Sequence, residues 1–497
     1  MNLGIDMKSP VLVVGAGPVG LTLACELARF GIAVRIVDKA AQRTDKSKAL
    51  VIWSRTLELL DRGGGSAPFI DAGYKAHAVN FVAGDGKLMG RVTMDAIPSP
   101  YPFGLMLPQS DTERLLQERL EAFGVRVERQ VELTALATGV DGPRVQLRHA
   151  NGGEESLAAE WLVGCDGAHS FVRHAIGSSF EGETMNSDWM LADVHMRGYP
   201  FPDTEASIYW HQDGAFVIFP ISPGRYRVLA DLPATAAERP PTPTLAQVQA
   251  VVDRRGPGHL EAFDPIWLAG FRINGRKVAN YRAGRIFLAG DAAHIHSPAG
   301  GQGMNTGMQD AFNLAWKLAL VIRKTCGERL LDSYDPERSA VGDEVLKTAG
   351  RLTAVATLKN PIAQSVRNVI GHIAFGLPPV RHALANTMGE VSIGYPDSPL
   401  NGPGLGGADA PKPGQRLAPL DGQIPPGSGE TPLFALFAER DATTLALVRR
   451  FHGLVEPDVR PPLHAGALWL VRPDGYVACS AIDADVIGSY LDGLVQE

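Results

Sequence analysis

Four consecutive apolar residues, Val11 to Val14, open the readable pattern. An unalternating run of that length predicts a strand buried on both faces. Gly15-Ala16-Gly17-Pro18-Val19-Gly20 follows at once, and Leu21, Ala24, Leu27 and Ala28 then recur at helical spacing up to Gly31, a helix stop. Ala33 to Val37 reads as a second strand ending at Asp38. Strand, glycine turn, helix and strand make a βαβ unit.

Beyond Asp38 the spacing predicts a helix over Ser54 to Leu60, broken at Gly63-Gly64-Gly65, and strands between Ala78 and Val92. Ser110-Asp111-Thr112-Glu113 has the form of a capping box and opens a helix to Phe123. Strands are expected between Val125 and Leu147 and over Trp161 to Gly164. From Met185 to Arg272 short alternating segments are separated by turns such as Asp213-Gly214 and Pro223-Gly224, the signature of an antiparallel sheet. Arg285 to Ala289 is again a buried strand, followed by a helix from Met304 to Lys324 and more helices to Gly389. Tyr395 to Pro432 is dense in Gly and Pro and marks a boundary. Leu468 to Cys479 reads as strand, turn, strand.

The expected organisation is therefore α/β. A Rossmann-like nucleotide-binding domain comprises 1–75, 105–184 and 273–394, the last carrying a helical extension. An inserted antiparallel-sheet domain comprises 76–104 and 185–272, and a C-terminal domain spans 395–497.

The chain has 497 residues, enough for about three domains. A net charge of −7 supplies no basic excess for nucleic acid. The most apolar helical stretch, around Leu314 to Ile322, is interrupted by Lys317, so no membrane span is expected. The first strand arrives by Val11 without a charged-then-apolar leader, and Cys25, Cys165, Cys326 and Cys479 are far apart in sequence. That excludes CxxC chemistry and a zinc knuckle, and with no disulfide framework expected it fits a cytoplasmic setting.

The glycine motif has a mechanical reading. Gly15 permits the tight turn, Gly17 lets the backbone approach a pyrophosphate, and Gly20 lets helix and sheet pack closely. The helix N-terminus offers free N–H groups to the phosphate. Asp38 would accept from a ribose diol and repel a 2′-phosphate, which suits FAD or NAD without separating them.

Two further motifs decide between them. Gly164-Cys165-Asp166-Gly167-Ala168-His169-Ser170 and Arg285 to Asp291 with Ala292-Ala293-His294 each follow a strand, and Ser297 to Ala311 continues the second. Together with the first motif, the chain from Val11 to Gly389 resembles the group A flavoprotein monooxygenases, the aromatic hydroxylases similar to p-hydroxybenzoate hydroxylase. The resemblance implies FAD held by Gly15, Gly17, Pro18, Gly20, Asp38, Lys39, Lys48, Gln109, Asp166, Gly167, Gly290, Asp291, Pro298, Gly301, Gly303, Met304 and Asn305. Lys48 stands where relatives carry an arginine, keeping the charge without the fork. Pro411 to Gly414 and Leu470 to Ala478 are similar to the thioredoxin-like tail of the phenol and polyketide hydroxylase branch, here without CxxC.

The activity implied is hydroxylation of a phenolic or polycyclic polyketide-like substrate with O2 and NADPH or NADH, through a flavin C4a-hydroperoxide. Baeyer–Villiger oxygenation or another flavin oxidoreductase, and a non-enzymatic flavin-binding protein, are the alternatives. Tyr209, Trp210, His211, Phe216 and Phe219 are candidates to line the substrate site, each equally suited to core packing. For catalysis the candidates are His211, Tyr209 and Pro298, with His195, His294 and His296 as further imidazoles and no metal site. The tail leaves room for a homodimer.

Overall fold

The computed structural model describes residues 10–139, 142–237, 239–358, 360–406 and 410–496. A six-stranded sheet has the spatial order Arg282–Ala283, Ile286–Leu288, Trp161–Gly164, Val11–Val14, Val34–Asp38 and Val127–Arg129. All its neighbours pair in parallel except the first two. Val11–Val14, Trp161–Gly164 and Ile286–Leu288 are buried at every position. Helices cover the sheet, so the apolar runs do not alternate. Helix Pro18–Arg29 packs on helix Gly303–Ile322, which is buried at every residue from Met304 to Val321.

An eight-stranded sheet has the order His294–Ile295, Glu261–Lys277, Glu181–Arg197, Arg225–Leu232, Gly214–Ser222, Glu205–His211, Ala78–Ala83 and Leu88–Thr93. It is antiparallel except where Glu205–His211 meets Ala78–Ala83 in parallel. Strands Glu181–Arg197 and Glu261–Lys277 are each 17 residues long and pair from Glu181 opposite Lys277 to Arg197 opposite Glu261. The Gln212-Asp213 and Pro223-Gly224 turns link its hairpins.

The expected capping box at Ser110 does not form. Pro108 is the N-cap, the helix already includes Gln109, and Gln109 Nε2 donates to Glu113 Oε1 at 2.9 Å. With Glu113 held that way, its side chain does not return to Ser110. Capping boxes occur instead at Thr244 with Gln247 and at Asp441 with Thr444.

The C-terminal segment shares a core with the nucleotide-binding sheet: Phe434, Leu436, Leu470 and Leu491 belong to the same apolar cluster as Val11 and Leu314. Ions reinforce the join. Arg472 meets Glu337 and Asp474, and Lys317 meets Glu337, all four side chains being 4% exposed or less. The four cysteines are free and buried. Among the described residues no helix is long and apolar enough to cross a membrane, and no cluster of His, Cys, Asp or Glu could hold a metal ion.

Candidate functional site

A cavity of about 670 Å3 lies between the C-terminal edge of the six-stranded sheet and one face of the eight-stranded sheet. One wall is built from the motif turns: Gly17, Pro18, Lys48, Gln109, Gly167, Asp291, Pro298, Gly301, Gly303 and Met304. The opposite wall is Leu191, Phe219, Arg227, Leu229 and the run Trp267 and Ala269 to Asn274.

The first turn is set by close packing. Gly15 donates its N–H to Val37 O at 2.8 Å and has φ +101°, and a Cβ there would lie 2.4 Å from Cys165 O. A Cβ at Gly20 would lie 1.9 Å from Gly15 O. A Cβ at Gly17 would meet nothing within 4 Å, because that position faces the cavity. Asp38 accepts from Ala16 N and Ala40 N, both at 2.7 Å, so its carboxylate also shapes the turn. Lys39, beside it, is exposed and outside the cavity lining.

In the second motif Asp166 accepts from Ser170 Oγ at 2.5 Å and Val172 N at 3.1 Å. Its carboxylate caps the short helix Phe171–Ala175, and the flanking Cys165 and Gly167 reach the cavity wall.

The third motif supplies the exposed charge. Gly290, at φ +60°, donates its N–H to Asp310 Oδ2 at 2.9 Å, which leaves the next residue, Asp291, turned into the cavity. Asp291 accepts no hydrogen bond from the described residues. Its side chain is exposed to the cavity, and the protein packed around that cavity raises its pKa by desolvation, against the pull of His294 and Lys48. The loop after it is pinned from Trp53: Trp53 Nε1 donates to Gly300 O at 3.0 Å, and Trp53 N to Asn305 Oδ1 at 2.9 Å. Asn305 Nδ2 donates to Val51 O and Gly301 O. Its amide is thus engaged with backbone, and it holds the loop without lining the cavity. Gln109 accepts from Ala49 N at 3.2 Å and steadies the Lys48 segment.

Of the two histidines here, His294 is tied to Asp310 at 2.8 Å, and Asp310 in turn to Arg338 at 2.6 Å. His296 lines the cavity. Its Nδ1 lies 2.9 Å from Ser297 O, which can only accept, so Nδ1 carries the hydrogen. Burial lowers its pKa to about 4, and the ring is neutral at neutral pH.

The substrate-wall expectations need correction. Of the five candidates, only Phe219 lines the cavity. Tyr209 and Phe216 are 2% and 0% exposed in the sheet's own core, and Trp210 packs on Phe81 and Phe375. His211 Nδ1 accepts from Asp213 N at 3.1 Å and belongs to the hairpin turn, while His195 stacks on Phe263. Neither His211 nor Tyr209 reaches the cavity; Pro298 does. Strand Glu205–His211 lies in the half of the sheet away from the cavity. Tyr209 and Phe216 are cross-strand partners on the face opposite Phe219, and that face, set by pairing between distant segments, packs into the core.

Arg227 is the functional residue that the pattern along the chain did not single out. It is 2% exposed and grips Asp193 through Nε and Nη2 at 2.7 and 2.9 Å. Its other N–H groups donate to Ser47 O at 2.6 Å and Lys48 O at 2.8 Å, tying the substrate sheet to the loop that carries Lys48. A lone buried arginine opposite an aspartate two strands apart in sequence leaves no local signal. Trp267 and Phe271 did leave one, an alternating aromatic pair on a strand.

Comparison with known proteins agrees with this geometry. Residues 8–349 match the family described as FAD binding domain. The 6-methylpretetramide 4-monooxygenase of Streptomyces rimosus is 34% identical over 506 residues, covering 94% of this chain and 90% of that protein. The pentachlorophenol 4-monooxygenase of Sphingobium chlorophenolicum is 33% identical over 353 residues, covering 69% of this chain and 64% of that one. Among solved structures, the anhydrotetracycline hydroxylase OxyS of Streptomyces rimosus superposes with a TM-score of 0.80 at 28% identity, over 98% of this chain and 99% of its own. A glycine turn open to a cavity, an unpartnered aspartate inside it, and relatives matched over nearly the whole length lead to one assignment: the chain belongs to the group A FAD-dependent monooxygenases, the aromatic hydroxylase family.

Proposed function

We propose that this FAD-dependent monooxygenase hydroxylates an uncharged, polycyclic aromatic compound of the polyketide type. The observation that carries the proposal is the wall opposite the motif turns. It is formed by Leu191, Phe219, Leu229, Trp267 and Phe271, and its two cations are already engaged. Arg227 is taken up by Asp193 and two carbonyls, and Arg272 by Asp188 and the carbonyls of Thr235 and Ala237. Among the described residues no free cation on that wall is left to pair with a substrate carboxylate, so recognition rests on apolar contact and ring stacking. The relatives named for tetracycline-type substrates support the same class.

The residues present suit FAD. The empty face of Gly17 and the N-terminus of helix Pro18–Arg29 would take the pyrophosphate, as backbone donors at a positive dipole end. Asp291, short of partners, would accept from ribityl hydroxyls, and Lys48 would meet phosphate. Pro298, Gly301, Gly303 and Met304 would lie along the isoalloxazine. Bound FAD supplies the redox chemistry, accepting hydride from NAD(P)H and activating O2 for transfer of one oxygen atom to the ring. The chain's own part is to orient the substrate ring and exclude water. His296, neutral at neutral pH, adds no charge to the wall.

We infer that the C-terminal segment is thioredoxin-like. Strands Ala435–Phe437, Leu468–Val471 and Val477–Ala481 pair in that order, and parallel bridges join Phe434 to Val455 and Phe437 to Arg460. Without CxxC its role is to brace the flavin domain.

The test is anaerobic reduction of the FAD-loaded enzyme by NADPH or NADH, with and without a panel of phenols, phenolic carboxylates and polycyclic aromatics. Flavin bleaching accelerated by neutral polycyclic compounds, with one hydroxyl added per turnover in air, is expected. Acceleration by small carboxylated phenols alone would overturn the proposal.

A further inference from the structure

Helix Pro361–Gly376 is built inside out. Two of its long polar side chains turn into the protein: Gln364 donates to Gln212 O at 3.0 Å, and Arg367, 7% exposed, donates to Val355 O and Trp210 O. Phe375 anchors the same face by stacking on Phe81 at 4.4 Å. The outward face is apolar. Ile362, Val366, Val369, Ile370 and Ile373, with Leu377 just beyond the helix, are 51% to 76% exposed. Their steps of four and three residues are those of a helix-to-helix seam.

We propose that this face pairs with the same face of a second copy, antiparallel about a two-fold axis. The spacing is palindromic. An axis between Val369 and Ile370 sets Ile362 against Leu377, Val366 against Ile373, and Val369 against Ile370 of the other copy. A two-fold interface requires such self-complementarity. The residues flanking the seam, Ala363, Ser365 and His372, place no fixed like charges opposite one another.

A lipid surface fits less well. The one arginine of this helix points inward, so its outward face offers no permanent cation to anionic headgroups. The area is also of the right order. Six such side chains leave roughly 350 Å2 of apolar surface per chain, within the size at which a monomer's largest apolar patch is often functional. With apolar atoms making about 65% of such a contact, two copies bury about 1,100 Å2, the threshold of a specific interface. The helix packs at the edge of the eight-stranded sheet away from the cavity, so the proposal stands apart from the substrate assignment.

Sedimentation velocity of the full FAD-loaded chain tests it. A species of twice the 53.1 kDa chain mass is expected at micromolar concentration. Val369→Glu/Ile373→Glu is expected to raise the dissociation constant about 100-fold or more with the flavin spectrum unchanged. Val366→Cys/Ile373→Cys supplies an independent reading. The two positions lie about 10 Å apart on one helix, too far to bridge within a chain, and the native cysteines are buried. An oxidised dimer on a denaturing gel is therefore an intermolecular link across the proposed axis. A monomer at every concentration, or a dimer that survives the double glutamate change, would overturn the proposal. So would a monomer that co-sediments with anionic phospholipid vesicles, which would assign the face to lipid.

Discussion

Glu337→Gln removes one negative charge from a cluster that water does not reach. Glu337 is 1% exposed, and its carboxylate accepts from Lys317 Nζ at 2.8 Å, Asn313 Nδ2 at 2.7 Å, Arg472 Nη1 at 2.6 Å and Ser398 Oγ at 2.5 Å. With glutamine in its place, Lys317 and Arg472 share Asp474 as their remaining buried counter-charge. Stripping one member from a buried ion cluster costs about 3–5 kcal/mol. Adding Lys317→Met takes out the surplus cation and leaves Arg472 paired with Asp474, and about 1–3 kcal/mol of the loss is expected to return as coupling. Urea unfolding at one fixed FAD concentration, followed by circular dichroism, measures both quantities. If the double variant loses the sum of the two single losses, charge balance is not what joins the C-terminal segment to the flavin domain. Acid provides a second check. Burial opposes the charge on Glu337, but Arg472 and Lys317 outweigh it and hold the folded pKa below its ordinary value. The resulting stabilisation is complete above the unfolded pKa of about 4.3 and is lost as pH falls below it. Glu337→Gln should flatten that acid limb.

Gly17→Ala is expected to weaken FAD binding about tenfold or more, by obstructing a backbone approach, while leaving apoprotein melting unchanged. Gly20→Ala, whose Cβ would strike Gly15 O, should lower apoprotein melting as well; flavin titration and differential scanning fluorimetry separate the two. Asp291→Asn should stabilise the apoprotein at neutral pH, because burial raises the Asp291 pKa and the charged form is penalised. The gain should vanish below about pH 4, where the aspartate is protonated in both states, and the variant's FAD should dissociate faster. Trp267→Ala should lower kcat/KM for a polycyclic substrate about tenfold or more, with extra NAD(P)H consumed per product. His211→Asn should leave the pH profile of turnover unchanged.

Local rules made the nucleotide half legible. A buried strand, a glycine turn and an acid at the next strand end all act within thirty residues, and the glycine contacts repeat what the spacing implied. The third motif was legible for a similar reason, since Asp291 projects from a turn at a strand end. The substrate half was not. Alternation along Glu205–His211 separates two faces of a sheet but is silent on which face of that sheet meets the flavin domain. Tyr209 and Trp267 carry the same local signal, and the pairing register sends them to opposite faces of the sheet, one to the core and the other to the cavity. Arg227 was hidden for a stronger reason: its partners Asp193, Ser47 and Lys48 come from segments up to 180 residues away.

The two 17-residue strands Glu181–Arg197 and Glu261–Lys277 have a mechanical consequence. A paired ribbon of that length spans about 55 Å and bends poorly within its own plane. Because it carries the cavity wall at Leu191 and Trp267, it acts as a stiff beam rather than a hinge. Its compliance is concentrated where the register shifts, between Thr184 and Asp188 and between Asp193 and His195. With that wall stiff, the loops and the flavin-side turns are the softer borders of the cavity.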